Sequence, residues 1–95
     1  MELPIRLFKV QDRSMEPDFE EGAYIFVART AGELEPGDVV VLRHPSKGMK
    51  LVKRIARITG QRYYVIGDNY LASEDSRSFG SVPRDNILGK VVFKV

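Results

Sequence analysis

Short runs of β-branched and aromatic residues, separated by turn-forming residues, constrain the fold of this chain more than any other feature. The runs are IRLFKV (5–10), AYIFVAR (23–29), DVVVLRH (38–44), MKLVKRIARI (49–58), RYYVIG (62–67) and ILGKVVFKV (87–95). Gly, Pro, Asp and Asn lie between them, and no segment has the longer apolar period of an amphipathic helix. The pattern predicts an all-β fold that is compact and mostly antiparallel.

Two connections stand out in this pattern. The TGQ sequence between the fourth and fifth runs is short enough to join them as a β-hairpin. In contrast, the segment 68–86 is polar and rich in Ser and Asp, and we expect it to be irregular apart from a short helical turn near 73–78. Irregular segments of about 19 residues are unusual in small domains and are often functional.

The length and composition limit the chemistry. A chain of 95 residues predicts a single domain, 1–95. The absence of cysteine excludes disulfides, a thiol nucleophile and thiolate metal sites. The one histidine, His44, lies in the turn-like RHPSKG sequence, where we expect it to be exposed, and one histidine is too few for a histidine metal cage. We therefore expect no metal and no cofactor.

Charge and hydropathy exclude other classes. Basic residues cluster between Lys50 and Arg62 without an acid among them, but no aromatic residues alternate with them to stack on bases. A solvated strand face explains this cluster better than a nucleic-acid surface does. No apolar run approaches the roughly 18 residues of a membrane span. MELPIRLFKV has a proline and charges where a signal peptide has an apolar core. We expect no membrane span in this chain and a cytoplasmic location.

One lysine stands among aliphatic residues in the fourth run. Alternation along a strand places Leu51, Lys53 and Ile55 on one face. If that face is buried, loss of water around the ammonium lowers the lysine pKa, and a neutral lysine is a competent general base. The alternative is a lysine whose stem lies on an amphipathic strand while its ammonium reaches solvent. The pattern alone leaves both possibilities open.

A lysine base needs a hydroxyl to activate. The chain has six serines and no His/Asp arrangement suited to a catalytic triad, so a Ser–Lys dyad is the catalytic pair that this composition supports best. Ser14, in DRSMEPDFEEG, is one candidate. Alone, it has a simpler explanation, because Ser14 could cap a turn while Pro17 fixes the backbone after it.

Four blocks, in order, resemble the catalytic domain of the type I signal peptidases, which are serine peptidases with a Ser–Lys dyad. The blocks are RSMEPDFEEGAYIFV, PGDVVVLRHP, LVKRI and GDNYLASEDSRSFGSVP. Each is weak evidence alone, but together they cover about residues 8–93. The resemblance implies the signal peptidase/LexA type of β fold.

The resemblance also assigns roles. It implies that Ser14 is the nucleophile, that Lys53 is the general base, and that Ser73 orients the lysine. Asp75 and Arg77 match a pair that braces the last block near the site. We expect Ser14 Oγ and Lys53 Nζ to lie within hydrogen-bond reach, or close to it without substrate.

The family prefers substrates with small residues near the scissile bond, which implies shallow apolar pockets beside the dyad. We expect the flanking residues Arg13, Met15, Leu51 and Val52 to contact the substrate. A protein precursor bound as an added extended strand is the expected partner.

The chain departs from the family pattern in two respects. Asp12 occupies the position where the family usually has glycine or a small hydroxyl residue, and an ionised carboxylate cannot donate a hydrogen bond to an oxyanion. The oxyanion hole would then rest on the Ser14 backbone N–H. No apolar run of this sequence matches the membrane anchor of many signal peptidases, and only ARITGQRYYVI stands between the last two blocks, where many of them have a large inserted β domain.

A group of shorter peptidases resembles this chain more closely than the signal peptidases do. The last block resembles that of small peptidases that mature nickel-type superoxide dismutases, which implies removal of an N-terminal pro-segment. Three alternatives remain: a LexA-like self-cleaving regulatory module, a signal peptidase-like domain separated from its anchor, and a catalytically inactive binding domain. The first is disfavoured, because the sequence has no helix-turn-helix pattern.

Overall fold

A computed structural model of the chain describes residues 5–29 and 32–95; the start of the N-terminal segment, residues 1–4, and residues 30–31 lie outside the described part. The strands are β1 (Ile5–Lys9), β2 (Tyr24–Ala28), β3 (Val39–Arg43), β4 (Lys50–Thr59), β5 (Arg62–Ile66), β6 (Val82–Pro83) and β7 (Ile87–Lys94). They form one sheet in the order β1-β2-β7-β3-β4-β5-β6. Every neighbouring pair is antiparallel. The predicted all-β, mostly antiparallel fold is confirmed.

The segment after β5 is more ordered than its composition predicts. It contains the helix α1 (Ser76–Phe79), the short strand β6, and two single 3₁₀ turns at Tyr70–Ala72 and Arg84–Asn86. The helical turn begins at Ser76, later than expected, because the Asp75 side chain caps it by accepting a hydrogen bond from the backbone N–H of Arg77. Polar side chains therefore organise this loop where hydrophobic periodicity gives no signal.

Two hydrophobic clusters lie on opposite faces of the central strands. The first consists of Leu34, Val40, Leu42, Leu51, Ile55, Val65, Val82 and Ile87. The second consists of Val10, Met15, Ile25, Val27, Val39, Val41 and Val52. Because side chains alternate along a strand, the continuous VVVL run of β3 contributes to both clusters and is buried on both faces. No helix in the described ranges has the length and apolar character needed to cross a bilayer.

Candidate active site

The loop between β1 and β2 carries Ser14. Backbone hydrogen bonds close its base, from the Val10 N–H to the Ala23 carbonyl and from the Gly22 N–H to the Val10 carbonyl, both at 2.8 Å. Met15 is completely buried and anchors the loop in the second cluster. The loop is thus held at both its base and its middle, which fixes the backbone on either side of Ser14.

The hydroxyl of Ser14 is buried without a partner. The residue is 1% exposed, and its Oγ forms no hydrogen bond. A buried hydroxyl without a partner costs about 1–3 kcal/mol, so proteins rarely retain one without a purpose. Turn capping does not account for Ser14, because its side chain bonds to no backbone group.

Lys53 lies in β4 and is also buried. It is 1% exposed, and alternation places it between Leu51 and Ile55 on the face of the first cluster. Burial lowers the pKa of its ammonium, although the negative charges of Asp12 and Asp75 act in the opposite direction. The structure therefore decides between the two possibilities left by the sequence: the lysine is desolvated rather than reaching solvent.

Gly67 joins the surroundings of Lys53 and Ser14. The β4–β5 register pairs Arg54 with Ile66, so its continuation places Gly67 opposite Lys53. A Cβ at Gly67 would lie 2.7 Å from the Ser14 carbonyl oxygen and would collide with the Ser73 side chain. Opposite residues of an antiparallel pair project to the same side, so Lys53, Ser73 and the Ser14 carbonyl converge there. Only glycine leaves room for this approach.

The loop after β5 is bound directly to the Ser14 loop. The Asn69 backbone N–H donates to the Ser14 carbonyl at 2.8 Å, and the Asn69 side-chain amide donates to the Arg13 carbonyl at 3.0 Å. These bonds hold the backbone carbonyls that precede and follow the Ser14 Cα. The Gly-Asp-Asn sequence therefore positions the Ser14 loop against the end of β5.

Asp75 is the hydrogen-bonding centre of the same loop. Its buried carboxylate accepts hydrogen bonds from Ser73 Oγ at 2.7 Å, the Gly67 N–H at 2.8 Å and the Arg77 guanidinium at 2.9 and 3.0 Å. Burial alone would raise the pKa of Asp75, but these donors outweigh it and hold the pKa well below its ordinary range. Asp75 thus remains a carboxylate and fixes the position of Ser73.

The side chains of Ser14, Lys53 and Ser73 form no hydrogen-bonded triad in the described residues. Within the described part of the chain, Lys53 Nζ forms no hydrogen bond to Ser14 Oγ, and the Ser73 hydroxyl donates to Asp75. Because the Ser73 proton points to Asp75, the lone pairs of its oxygen remain able to accept from an ammonium. Catalytic hydrogen bonds are often long without substrate and tighten in the complex.

Arg54 is a supporting residue that the sequence reasoning did not single out. Its guanidinium donates to both oxygens of Asp68, at 3.0 and 2.9 Å, and to Asp18 of the Ser14 loop at 2.7 Å. It also donates to the Gly37 carbonyl at 2.8 Å. This residue follows Lys53 directly, so it points to the other face of β4 and ties three loops together there.

His44 is buried, and the prediction of an exposed turn residue is wrong. It is 4% exposed, and its Nδ1 accepts hydrogen bonds from the backbone N–H groups of Ser46 and Lys47, at 3.1 and 3.0 Å. Its Nε2 lies 3.3 Å from a carboxylate oxygen of Glu74. The imidazole therefore fills the turn after β3 and connects it to the residue after Ser73. Nothing local in RHPSKG signals this contact.

The predicted substrate-contacting residues lie in different environments. Met15 and Val52 belong to the second core cluster and Leu51 to the first, so they support the loop and strand from below. Met15 in particular has no exposed surface with which to touch a substrate in this state. The side chain of Arg13 is 69% exposed and pairs with Glu16 at 3.1 Å. Of the four, Leu51 also borders a surface cavity.

The fold and these residues together define a class. The sheet is mostly antiparallel, and it carries one buried serine in the Ser14 loop and one buried lysine, Lys53, in β4. The chain belongs to the Peptidase S24-like family, whose family model matches residues 4–92.

Individual relatives agree with this family. The chain is 33% identical to the mitochondrial ATP-independent inner membrane protease subunit 1a of Arabidopsis thaliana, over 67% of this chain and 52% of that protein. It is 52% identical to signal peptidase IB of Staphylococcus aureus over 33 residues, which are 35% of this chain and 17% of that protein. The match spans about half or less of the length of these relatives.

Proposed function

We propose that the chain is a serine endopeptidase in which Ser14 is the nucleophile and Lys53 the general base. The observation that carries the proposal is the buried lysine of lowered pKa, which lies opposite Gly67 in the β4–β5 register, where Gly67 closely approaches the Ser14 carbonyl. A lysine of lowered pKa becomes neutral at a lower pH than an exposed lysine does, and a neutral lysine can accept a proton.

In the proposed reaction, neutral Lys53 takes the proton of the Ser14 hydroxyl as Oγ attacks the scissile carbonyl. The resulting ammonium then donates a proton to the leaving amine, and the peptide C–N bond breaks to leave an ester on Ser14. Neutral Lys53 next activates a water molecule, which hydrolyses the ester and restores the hydroxyl. Ser73, held by Asp75, accepts a hydrogen bond from the ammonium and keeps it directed at Oγ.

The similarity of the sequence to known proteases also supports a proposal for the class of substrate. We propose that the chain cleaves an N-terminal extension from a precursor protein, which binds as an extended strand. The pro-segment of a nickel-type superoxide dismutase is the specific candidate, and the support for it is the similarity of the GDN and SEDSRSFGSVP sequences to that group of proteases. The relatives named above are proteases, which favours processing of another protein over a regulatory, self-cleaving module.

Incubation with such a precursor, followed by mass spectrometry of the new N-terminus, tests the proposal. The wild type and the variants Ser14→Ala and Lys53→Met would be compared, with Ser78→Ala and Lys9→Met as matched controls at exposed positions. We expect one defined cleavage with the wild type and both controls, and a loss of at least about 1,000-fold in the two dyad variants. Cleavage at an unchanged rate by Ser14→Ala would refute the proposal.

A further inference from the structure

Two connected surface cavities extend from the Ser14 loop. The first, the dyad-side cavity, has a volume of about 640 Å³ and is bordered by Asp12 of the Ser14 loop and Leu51 of β4. The second, the basic cleft, has a volume of about 380 Å³ and lies over β1, β2, β3 and β7. Phe8 and Lys50 line both cavities, so together they form one continuous groove.

The basic cleft combines an apolar floor with a cationic rim. Val27, Val41 and Leu88 contribute to the floor. The charged residues among those that line it are Arg6, Arg29, Arg43 and Lys50. None of the described residues that line the cleft is acidic. An apolar floor with charges of one sign around it matches a ligand that has both apolar surface and the opposite charge.

Three cations of this cleft, Arg29, Arg43 and Lys50, differ from several others in the described part of the chain. In other parts of the described chain, Arg54, Arg77 and Lys90 form ion pairs with aspartates, and Lys47 pairs with Glu74. No carboxylate of the described residues forms an ion pair with Arg29, Arg43 or Lys50. The positive charges of Arg29, Arg43 and Lys50 are therefore not paired with carboxylates of the described residues, and an incoming anionic group can meet them.

We infer that the basic cleft is a specificity subsite for acidic side chains of the peptide substrate. The inference rests on the proposed peptidase function. A polypeptide in the dyad-side cavity continues into the basic cleft past Phe8 and Lys50, and the open edge of β1 offers backbone hydrogen bonds to such a strand.

The charge of the residues that line the groove changes along its length, from the acidic Asp12 in the dyad-side cavity to the cations of the basic cleft. Asp12 borders the cavity beside the dyad, so an acidic residue next to the scissile bond meets a like charge there. The cations lie further out. The preferred substrate therefore carries small uncharged residues at the scissile bond and Glu or Asp residues beyond them. A nucleic acid is the less suitable occupant, because the groove is apolar at its floor and leads to the dyad.

Matched peptides test this inference. A series would carry Glu, Gln or Lys at successive positions on both sides of the scissile bond. We expect the best Glu peptide to be cleaved about five- to tenfold more efficiently than its Gln counterpart, mainly through a lower KM. The ratio of kcat/KM for the Glu and Gln peptides should fall as salt is raised from about 20 to 500 mM, because salt screens the attraction between exposed charges. The Lys peptide should be the poorest substrate of the three.

Substitutions in the basic cleft test whether the preference among peptides depends on the charge of the cleft. Arg43→Gln/Lys50→Gln should reduce the Glu-to-Gln ratio of kcat/KM to about one, and Arg43→Glu/Lys50→Glu should favour the Lys peptide. Arg57→Gln, in which the removed charge lies over the Tyr64 ring away from the groove, is the control and should keep the wild-type ratio. Equal kcat/KM for Glu and Gln peptides at every position would overturn the inference while leaving the peptidase proposal intact.

Binding distinguishes failure of the subsite from failure of the proposed function. If the wild type cleaves no peptide, the peptidase proposal fails, and fluorescence anisotropy on Ser14→Ala still tests the cleft. Tighter binding of Glu peptides than of Gln peptides, lost in Arg43→Gln/Lys50→Gln, supports the subsite. A single-stranded oligonucleotide that binds through the same residues, with no preference among the peptides, would assign the cleft to nucleic acid and contradict the inference.

Discussion

The carboxylate of Asp12 accepts a hydrogen bond from the backbone N–H of Ser14, at 3.0 Å. That N–H is the donor expected to stabilise the oxyanion during attack by Ser14. In the substrate-free protein, a negative group of the chain itself thus occupies the donor. The same carboxylate raises the pKa of Lys53, against the effect of burial. In the proposed mechanism, Asp12 therefore opposes catalysis in two separable ways.

Two substitutions at Asp12 separate these effects. Asp12→Asn retains an acceptor for the Ser14 N–H but removes the charge, so the pKa of Lys53 falls and the rising limb of activity moves to lower pH. Asp12→Gly produces the same shift and also releases the N–H, so kcat should rise by about three- to tenfold at neutral pH. The measurement is kcat/KM and kcat against pH. An unchanged profile in both variants would exclude a role for Asp12.

The pH dependence of the wild type tests the base directly. Because neutral Lys53 is the active form in the proposed mechanism, kcat/KM should rise as pH passes upward through its pKa. Burial lowers that pKa, so the rise should lie below the pH at which an exposed lysine titrates. Lys53→Arg should be inactive at every pH tested, because a guanidinium remains protonated. A flat wild-type profile from about pH 6 to 10 would argue against a titrating lysine.

Burial of Lys53 also has a cost in stability. The folded state lowers the lysine pKa, so the unfolded chain binds the extra proton, and stability increases with pH through this interval. Lys53→Met removes the cost of burying an ammonium and should raise the free energy of unfolding at pH 7 by about 1–2 kcal/mol. Each kcal/mol corresponds to an increase in Tm of roughly 4–8 °C. The gain should shrink near pH 10. Thermal unfolding at several pH values would measure it, and a destabilised variant would contradict the expectation.

Ser73 is expected to act on the lysine rather than on the substrate. Ser73→Ala removes the hydroxyl that Asp75 positions and should lower kcat by about 10- to 100-fold with little change in KM. Ser73→Thr keeps a hydroxyl and should restore part of the rate. Steady-state kinetics of both variants, with Ser78→Ala as the exposed control, would separate kcat from KM. A fully active Ser73→Ala protein would remove Ser73 from the site.

His44 should matter for stability in spite of its position in a turn. His44→Ala leaves two backbone N–H groups without their acceptor and opens space beside Phe79, so the free energy of unfolding should fall by about 1–3 kcal/mol. Lys47→Ala breaks only an exposed ion pair with the same Glu74 and should cost less than about 0.5 kcal/mol. Urea unfolding compares the two, and equal effects would indicate that His44 is not a structural residue.

Local sequence was sufficient to predict the strands and the face of β4 on which Lys53 lies. β-Branched and aromatic runs predicted six of the seven strands, to within about two residues at their ends, and TGQ predicted the β4–β5 hairpin. Alternation placed Lys53 between Leu51 and Ile55, because side-chain direction in a strand depends only on position. The order of four short motifs indicated that Ser14, Lys53 and Ser73 belong to one site.

Tertiary structure decided what depends on residues distant in sequence. The last strand, β7, inserts between β2 and β3, and no local pattern encodes that order. His44 meets Glu74, and Arg54 meets Asp18, only because the sheet brings their loops together. The desolvation of Lys53 has the same origin, since burial is a property of the packed face and not of LVKRI. Sequence determines which side chains share a strand face, whereas the assembled sheet determines which faces exclude water and which charges meet.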